Sequence, residues 1–245
     1  MIELSVVIPA FNEESIIVST IQKVCGYLEG RRSYEVLIVD DGSTDRTAAE
    51  VESLQATLPR VHLLRNEENR GKGYSVAYGV LQSQGEYVLY TDADLVYPIE
   101  GVEPFLSKLK AGFDMAIGSR VHPDSLYALH ARHFRYIYQR HLVGRTYIAI
   151  AKRLLGLTVA DTQCGFKCLT CEAGQAVFSR VRQTSFAFDV EAILIAHRLR
   201  LRIAEMPVYY LYLGEDSSVR MARDSLRMLV ALLQIRRNDR QGRYA

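Results

Sequence analysis

The feature that most constrains the fold is a series of short, almost uninterrupted apolar runs that end in polar or acidic residues. The runs are Leu4–Pro9, Glu35–Asp40, Val61–Leu64, Glu86–Tyr90 and Met115–Gly118. Strands that are buried on both faces have this composition, whereas a half-exposed strand alternates apolar and polar residues. The runs therefore predict the strands of one buried sheet.

Helix-like stretches separate these predicted strands. The first is expected to run from an N-cap at Asn12 to about Leu28, the second to follow the turn at residues 42–45, and the third to span Lys72 to Gln82. Strands that alternate with helices build βαβ units and a mainly parallel sheet. We therefore predict an α/β protein of the Rossmann-like type, with helices flanking that sheet.

The second half of the chain is predicted to be mostly helical. Residues 125–155 read as helix, Val190–Leu199 as a helix followed by a strand at Ile203–Leu211, and residues 217–237 as a last helix. The apolar face predicted for the last helix consists of Leu226, Leu229, Val230 and Leu233. The chain of 245 residues is long enough for one large domain. We place that domain at 1–215, including basic helices at 120–155, and a basic amphipathic helix at 216–245.

Polar side chains follow the predicted strands at the points where the strands end. The strands of a parallel sheet deliver their carboxyl ends to one edge, and α/β proteins bind ligands beyond that edge. These side chains are therefore expected to converge although they are far apart in the sequence. They are Asn12, Glu13, Asp40, Asp41, Asp92, Asp94, Ser119 and Arg120.

Asp92 and Asp94 directly follow a predicted buried strand. Two carboxylates two residues apart can share a hard divalent cation, and Mg²⁺ and Mn²⁺ favour carboxylates together with diphosphate oxygens. A pair of acids on an exposed loop is the alternative interpretation of this motif alone. The pair Asp40 and Asp41 is a stronger signal, because helix capping explains the residues after Gly42 but not two acids that end an apolar strand.

Four motifs in this order resemble the family 2 inverting glycosyltransferases, whose fold is called GT-A. They are VVIPAFNEE at 6–14, VDDGSTD at 39–45, NRGKG at 69–73 and YTDADL at 90–95. Three later motifs are similar to the polyprenyl-phosphate branch, which includes the dolichyl-phosphate glucosyltransferases and, less closely, the mannose synthases. These are GSR at 118–120, DTQCGFK at 161–167 and FDVE at 188–191. The resemblance covers roughly residues 4–212.

The resemblance implies a set of site residues. The nucleotide-binding positions it implies are Pro9, Ala10, Phe11, Glu13, Asp40, Asp41, Lys72 and Ala93, with Asp41 in contact with the base. The catalytic positions it implies are Asp92, Asp94, Arg120, Asp161, Gln163, Asp189 and Glu191, with Lys167 near the sugar and acceptor. Asp92 and Asp94 would hold Mg²⁺ or Mn²⁺. The implied activity is transfer of a hexose, with inversion, from a nucleotide diphosphate sugar to a polyprenyl phosphate.

The donor and the acceptor each have an alternative. UDP-glucose is the expected donor and GDP-mannose the alternative, but mannose synthases typically carry Gln two residues after the second metal Asp, where this chain has Val96. A lipid phosphate is already an anion at pH 7 and needs no strong general base, so Arg120 would orient it. A hydroxyl acceptor would require a base, for which Asp161, Asp189 and Glu191 are the candidates.

The basic residues are concentrated in two segments. Residues 120–153 hold seven Arg or Lys against one acid, and residues 217–245 hold seven Arg against two acids. Tyr136, Tyr138, Tyr147 and Ile150 lie among the arginines of the first segment, namely Arg132, Arg135, Arg140, Arg145 and Arg153. A basic, aromatic, amphipathic segment suits the surface of an anionic bilayer. Solvated helix faces and a nucleic-acid-binding surface are the alternatives, and the latter leaves the acidic edge unexplained.

The expected location is the cytoplasm, with peripheral attachment at the cytoplasmic face of a membrane. The N-terminal residues show no signal-peptide pattern, and the sequence contains no apolar run of about 18 residues that would span a bilayer. Four cysteines are too few for a secreted disulfide scaffold and favour a reducing compartment.

Overall fold

A computed structural model describes residues 1–129, 134–212 and 221–244, without the side chains at 134–137, 139–141 and 221–226. The strands are β1 (Leu4–Ala10), β2 (Tyr34–Asp40), β3 (Val61–Arg65), β4 (Tyr87–Tyr90), β5 (Met115–Ser119), β6 (Leu126–Leu129), β7 (Lys167–Thr170), β8 (Ile203–Pro207) and β9 (Tyr209–Tyr212). The helices are α1 (Ile17–Leu28), α2 (Thr47–Gln55), α3 (Lys72–Gln82), α4 (Val102–Lys110), α5 (Phe134–Leu155), α6 (Cys171–Phe178), α7 (Phe188–Arg198) and α8 (Met221–Arg240).

Seven strands form the central sheet in the order β3-β2-β1-β4-β7-β5-β8. All neighbours are parallel except β7, which is antiparallel to β4 and to β5. The prediction of a mainly parallel α/β sheet is confirmed. Because β7 runs in the opposite direction, its first residue, Lys167, pairs with Tyr90 at the carboxyl end of β4. The sheet thus brings a lysine to the edge where the other strands deliver acids.

Helices cover both faces of this sheet. Along β1, Val6 and Ile8 pack under α1, α2 and α4, whereas Val7 between them packs on the opposite face under α3 and α7, as the two-residue period of a strand requires. Helix α7 is the central element of the second layer, since every residue from Phe188 to Ala196 is buried. Helices α3, α5, α6 and α8 surround it on that face. Two apolar layers therefore hold the carboxyl edge of the sheet in a fixed frame.

One predicted helix boundary at this edge is wrong. Helix α1 begins at Ile17 and has no N-cap at Asn12, because Asn12 has a left-handed φ of 57° and its side chain accepts a hydrogen bond from Thr44 N at 2.8 Å. Helix α2 follows the turn at 42–45, as predicted, and begins at Thr47, with Ser43 N donating to Asp40 Oδ1 at 3.2 Å in the loop before it. The antiparallel strand β7 was not predicted.

A second, two-stranded parallel sheet joins β6 to β9. The helix predicted over 125–155 is therefore wrong at Leu126–Leu129, and the single strand predicted over Ile203–Leu211 is two strands. The chain changes sheets at Val208, whose N–H donates to Ser125 Oγ at 3.0 Å and whose carbonyl accepts from Leu126 N. The predicted helix residues 130–133 and the domain boundary predicted at 215 and 216 lie outside the described residues.

Helices α5 and α8 pack against each other. Among the described side chains of α8, Ala231, Leu232 and Ile235 are buried, whereas Leu229, Val230 and Leu233 of the predicted apolar face are exposed. In α5 Tyr147, predicted to face a membrane, is buried. Tyr138 and Ile150 are exposed, and Leu226, Arg132, Arg135, Tyr136 and Arg140 lie outside the described side chains.

In the parts of the chain that the structure describes, no helix has both the length and the apolar character needed to cross a bilayer.

Gly79 is expected to be a sensitive position in the second layer. A Cβ there would overlap a methyl group of Val7 and lie 2.9 Å from one of Val39, whereas a Cβ at Gly26 in α1 would meet nothing within 4 Å. Gly79→Ala should lower the free energy of unfolding by about 1–3 kcal/mol through overpacking. Gly26→Ala, the matched control, should raise it by up to about 1 kcal/mol. Urea unfolding of both variants measures the difference, and equal effects would contradict the packing described.

Candidate active site

The loops after β1 and β2 are joined by hydrogen bonds at the carboxyl edge. Asn12 N donates to Ser43 Oγ at 2.9 Å, and Glu13 N donates to Thr47 Oγ1 at 2.8 Å. The carbonyl of Ala10 accepts from Asp41 N at 2.8 Å. The predicted nucleotide-binding residues Pro9 and Ala10 therefore end a rigid double loop, and the exposed ring of Phe11 stands at its rim.

Both acids that end β2 are buried, but their surroundings differ. Asp41 accepts hydrogen bonds from Asn66 Nδ2 and from the backbone N–H groups of Arg70 and Gly71, at 2.7, 2.9 and 2.8 Å. Its carboxylate thus fixes the NRGKG loop that leads into α3. Asp40 Oδ2 has no hydrogen-bond partner among the described residues and lies 3.7 Å from Arg65 Nε. Asp40 is therefore buried opposite a cation, whereas Asp41 is held by neutral donors.

Lys72, the first residue of α3, links this loop to the end of β4. Its ammonium donates a hydrogen bond to Asp92 Oδ1. Burial opposes the charge of Lys72, but the nearby carboxylates of Asp92, Asp189 and Asp94 outweigh it and raise the pKa of the lysine. Three of the five predicted catalytic acids thus lie near one cation. Helix α3, whose predicted bounds are confirmed, places that cation at the edge.

The turn after β4 presents its acids in a constrained backbone. Leu95 has a left-handed φ of 46°, which a leucine rarely adopts, and Leu95 N donates to the carbonyl of Asp92 at 3.2 Å. The carbonyl of buried Ala93 accepts a hydrogen bond from Thr20 Oγ1 at 2.5 Å, and this bond ties the turn to helix α1. Asp94 is exposed and accepts from Val96 N at 3.2 Å. The turn therefore directs one carboxylate toward Lys72 and the other toward solvent.

The segment that contains DTQCGFK packs over Asp92. A Cβ at Gly165 would overlap the Asp92 carboxylate, so only glycine allows this approach. Two residues later, Lys167 is fully buried and donates to the carbonyl of Cys164 and, at 2.6 Å, to Asp189 Oδ1. Tyr90 OH donates to the same oxygen at 2.9 Å. Asp189 is therefore brought to the acidic edge from α7 and is held there by a buried cation and a hydroxyl.

Arg120 and Asp161 form a bidentate ion pair beside this group. Arg120 Nε and Nη2 donate to the two carboxylate oxygens at 2.7 and 2.9 Å, and Nη1 takes no part in the pair. Burial would raise the pKa of Asp161, but the charge and hydrogen bonds of Arg120 outweigh it and lower that pKa to about 2. Gln163 N donates to Asp161 Oδ1 at 2.9 Å, and Gln163 Nε2 is buried without a hydrogen-bond partner in the described part of the chain.

Glu191 is the one predicted catalytic residue that the structure does not bring to this edge. Residues two positions apart on a helix point in widely different directions, so α7 cannot present both Asp189 and Glu191 to one site. Glu191 is fully buried and accepts from Arg182 N at 2.8 Å, Gln183 N at 2.6 Å and Tyr244 OH at 2.5 Å. Its carboxylate thus binds the loop before α7 and the turn after α8.

The donor set fits a divalent cation that takes most of its ligands from a substrate. Among the described residues there is no group of three or more His, Cys, Asp or Glu side chains that could hold a metal alone. Asp92 and Asp94 supply two carboxylates at the edge, and Mg²⁺ characteristically binds through one or two carboxylates plus phosphate oxygens. The oxygens of a substrate diphosphate would supply the remaining ligands of such a site.

Three residues of the site were missed at the level of the sequence. Tyr90 is read as a strand residue, yet its hydroxyl binds Asp189. Asn66 holds Asp41, and its polar position directly after β3 is the signal that would have indicated it. Tyr97 contributes to the surroundings of Arg120, although nothing in its local sequence distinguishes it from a core tyrosine.

This sheet order, with paired acids and a bound lysine at its carboxyl edge, defines a glycosyltransferase of the GT-A fold. A comparison with known families supports the same class, since glycosyl transferase family 2 matches residues 5–174. The chain belongs to glycosyl transferase family 2, as its motifs predict.

Named relatives give the same picture. The chain is 33% identical over 245 residues to a dolichyl-phosphate beta-glucosyltransferase from Dictyostelium discoideum, covering 93% of this chain and 74% of the relative. It is 36% identical over 220 residues to the Mus musculus protein of the same name, covering 84% of this chain and 66% of the relative. The predicted resemblance to the polyprenyl-phosphate branch is confirmed, and the chain spans about two thirds to three quarters of these relatives.

A solved structure agrees with the fold. Glucosyl-3-phosphoglycerate synthase from Mycobacterium tuberculosis, in complex with Mn²⁺, UDP-glucose and glycerol 3-phosphate, superposes with a TM-score of 0.65. The sequences are 21% identical, and the match covers 95% of this chain and 79% of the other. At this identity the match supports the shared fold and nothing finer.

The Asp161–Arg120 pair should make acid stability depend on one carboxyl. The folded pKa of Asp161 lies near 2 against an ordinary 3.8, so the unfolded chain binds more protons between these values and stability falls as the pH drops through them. The pair should contribute about 2 kcal/mol at neutral pH and lose it between about pH 4 and pH 2.

Thermal melting from pH 7 to pH 2 checks this prediction. Asp161→Asn should be less stable at neutral pH and should show a flatter acid limb than the unaltered protein. Asp124→Asn is the control, because Asp124 is 80% exposed and removes the same charge from the surface. Identical acid limbs for the two variants would contradict the proposed linkage.

Proposed function

We propose that the protein transfers glucose from UDP-glucose to dolichyl phosphate or another polyprenyl phosphate, with inversion at the anomeric carbon. The observation that carries this proposal is the gathering of Asp92, Asp94 and Asp189 around Lys72, with the paired Arg120 beside them. The names of the curated relatives support the glucosyl group and the dolichyl phosphate acceptor.

The nucleotide side of the proposal rests on the loops after β1 and β2. Exposed Phe11 offers a ring for a base to pack against, at the rim of these loops. Mg²⁺ or Mn²⁺ held by Asp92 and Asp94 would neutralise charge that builds up on the departing diphosphate. Lys72 adds a protein-borne positive charge at the same place.

The acceptor side of the proposal rests on Arg120. A phosphate monoester is anionic at neutral pH, so it attacks the anomeric carbon without a strong base and needs mainly to be oriented. Asp161 holds the Arg120 fork in one plane through two hydrogen bonds and leaves Nη1 outside the pair. A planar guanidinium so fixed suits a phosphate better than a mobile lysine would. Asp189, held by Lys167 and Tyr90, would bind sugar hydroxyls.

Transfer assays with polyprenyl phosphate test the proposal. UDP-glucose and GDP-mannose are each offered with and without Mn²⁺ or Mg²⁺, and metal-dependent glucosyl transfer is expected. Arg120→Lys keeps the charge but loses the fork, so it should lower transfer to the lipid phosphate about 100-fold while donor hydrolysis changes far less. The matched control, Arg145→Lys, alters an exposed arginine of α5 and should leave both rates unchanged.

Other results would replace parts of the proposal. Metal-dependent donor hydrolysis without transfer to the lipid would keep the donor site and overturn the lipid phosphate acceptor, and hydroxyl acceptors would be tested next. Transfer of mannose in preference to glucose would overturn the proposed donor.

We also propose that α5 and α8 attach the protein to the cytoplasmic face of a membrane. Tyr138, Leu142 and Ile150 of α5 are exposed, as are Leu229 and Leu233 of α8. Basic residues of the same helices lie beside these apolar side chains. They are Arg145 and Arg153 in α5 and Arg237 and Arg240 in α8, all exposed. Exposed apolar groups with adjacent cations suit an anionic bilayer surface, where each cation contributes about 1 kcal/mol.

Vesicle sedimentation tests the attachment. Replacing both Leu229 and Leu233 by Ser should weaken binding to vesicles containing phosphatidylserine by about 10-fold or more, because apolar burial is lost. The control is Leu126→Ser on β6, since Leu126 is 64% exposed and Leu233 is 60% exposed. Unchanged binding by the double variant, or an equal loss in the control, would refute attachment through α8.

A further inference from the structure

A buried contact joins the turn after α8 to the helix that carries Asp189. Helix α8 ends in a Schellman motif, in which Gly242 N donates to the Asp239 carbonyl and Arg243 N to the Asn238 carbonyl, with Gly242 at a left-handed φ of 68°. This reversal turns Tyr244 back toward the body of the protein. Tyr244 is 1% exposed, and its hydroxyl donates to Glu191 Oε1 at 2.5 Å.

The other oxygen of Glu191 holds the loop between α6 and α7. Glu191 Oε2 accepts from Arg182 N at 2.8 Å and from Gln183 N at 2.6 Å. A buried carboxylate with three donors is satisfied, whereas loss of one donor leaves charge without compensation in an apolar layer. The Tyr244 hydroxyl and the loop backbone therefore compensate the same buried carboxylate.

The same loop fixes the start of α3. The carbonyl of Thr184 accepts from Gly73 N at 2.7 Å, directly after Lys72. A Cβ at Gly71 would lie 2.5 Å from the Thr184 carbonyl oxygen, and a Cβ at Gly73 would lie 2.5 Å from that of Gln183. The loop backbone thus sits against both residues that flank Lys72, and Lys72 in turn holds Asp92.

From this chain of contacts we propose that Glu191 and Tyr244 are positioning residues for the donor diphosphate. They act through the loop at 182–184 and keep the Lys72 ammonium on Asp92. The inference rests on the proposed function, since it assigns the ion pair of Lys72 and Asp92 to a nucleotide diphosphate. It also gives the turn after α8 a role in the active site, although neither residue touches substrate.

Two measurements on Tyr244→Phe test the proposal. Hydrogen exchange should become at least about 10-fold faster at the amides of Arg182, Gln183 and Gly73, because the Glu191 carboxylate that anchors the loop loses one of its three donors. The Kd for UDP with Mn²⁺, and the KM for UDP-glucose, should each rise about 3- to 10-fold with the acceptor KM unchanged. Glu191→Gln provides a second variant, and adding Tyr244→Phe to it should change the Kd little further.

Asp239→Asn is the matched control. It breaks the bidentate pair of Asp239 with Arg198, at 2.6 and 2.7 Å, and so weakens the docking of α8 without touching the loop. This control should lower the melting temperature but leave exchange at Gly73 and the UDP affinity unchanged. The same UDP effect in Asp239→Asn, or unchanged exchange and affinity in Tyr244→Phe, would overturn the positioning role. Failure of the unaltered protein to bind UDP would instead overturn the proposed function, and the positioning role with it.

Discussion

Carboxylates gathered at one edge of a sheet repel one another, and the site depends on how each one is compensated. Asp41 is compensated by backbone N–H groups and an amide, Asp92 by Lys72, Asp161 by Arg120, and Asp189 by Lys167 with a tyrosine hydroxyl. Each compensating group comes from a different element from the acid that it holds. The edge is therefore stable only when β7, α3 and α7 are all in place, so the second layer of helices and the site form together.

Much of the fold could be predicted because its signals are local. A buried strand can be identified from the apolar run of its own residues. The parallel direction of the strands follows from their alternation with helices. The acids at the ends of β2 and β4 could therefore be placed at one edge from the sequence alone. The start of α1 could not, because Asn12 has cap chemistry but its partner, Thr44, is 32 residues away.

The ion pairs and hydrogen bonds that compensate the buried acids could not be predicted from local sequence patterns. Arg120 and Asp161 are 41 residues apart, and Glu191 and Tyr244 are 53 apart. The motif FDVE illustrates the limit. The sequence does not distinguish its two acids. The helical period places Asp189 at the edge of the sheet and Glu191 in the buried interior of the helical layer. Helix α8 shows a related limit, since its apolar residues look alike in the sequence, yet packing buries Ala231, Leu232 and Ile235 and leaves Leu229, Val230 and Leu233 exposed.

The antiparallel strand β7 also imposes an order on the formation of the sheet. Strands β3, β2, β1 and β4 come from the first 90 residues and can pair among themselves, but β7, which lies next to β4, begins only at Lys167. Until that strand arrives, β4 presents a row of unpaired backbone groups and an apolar sequence, which is the usual template for wrong pairing between chains. When β7 pairs with β4, it covers this edge and also places Lys167 next to Asp189. A chain that has completed its sheet has therefore also placed the Lys167 cation against the Asp189 carboxylate.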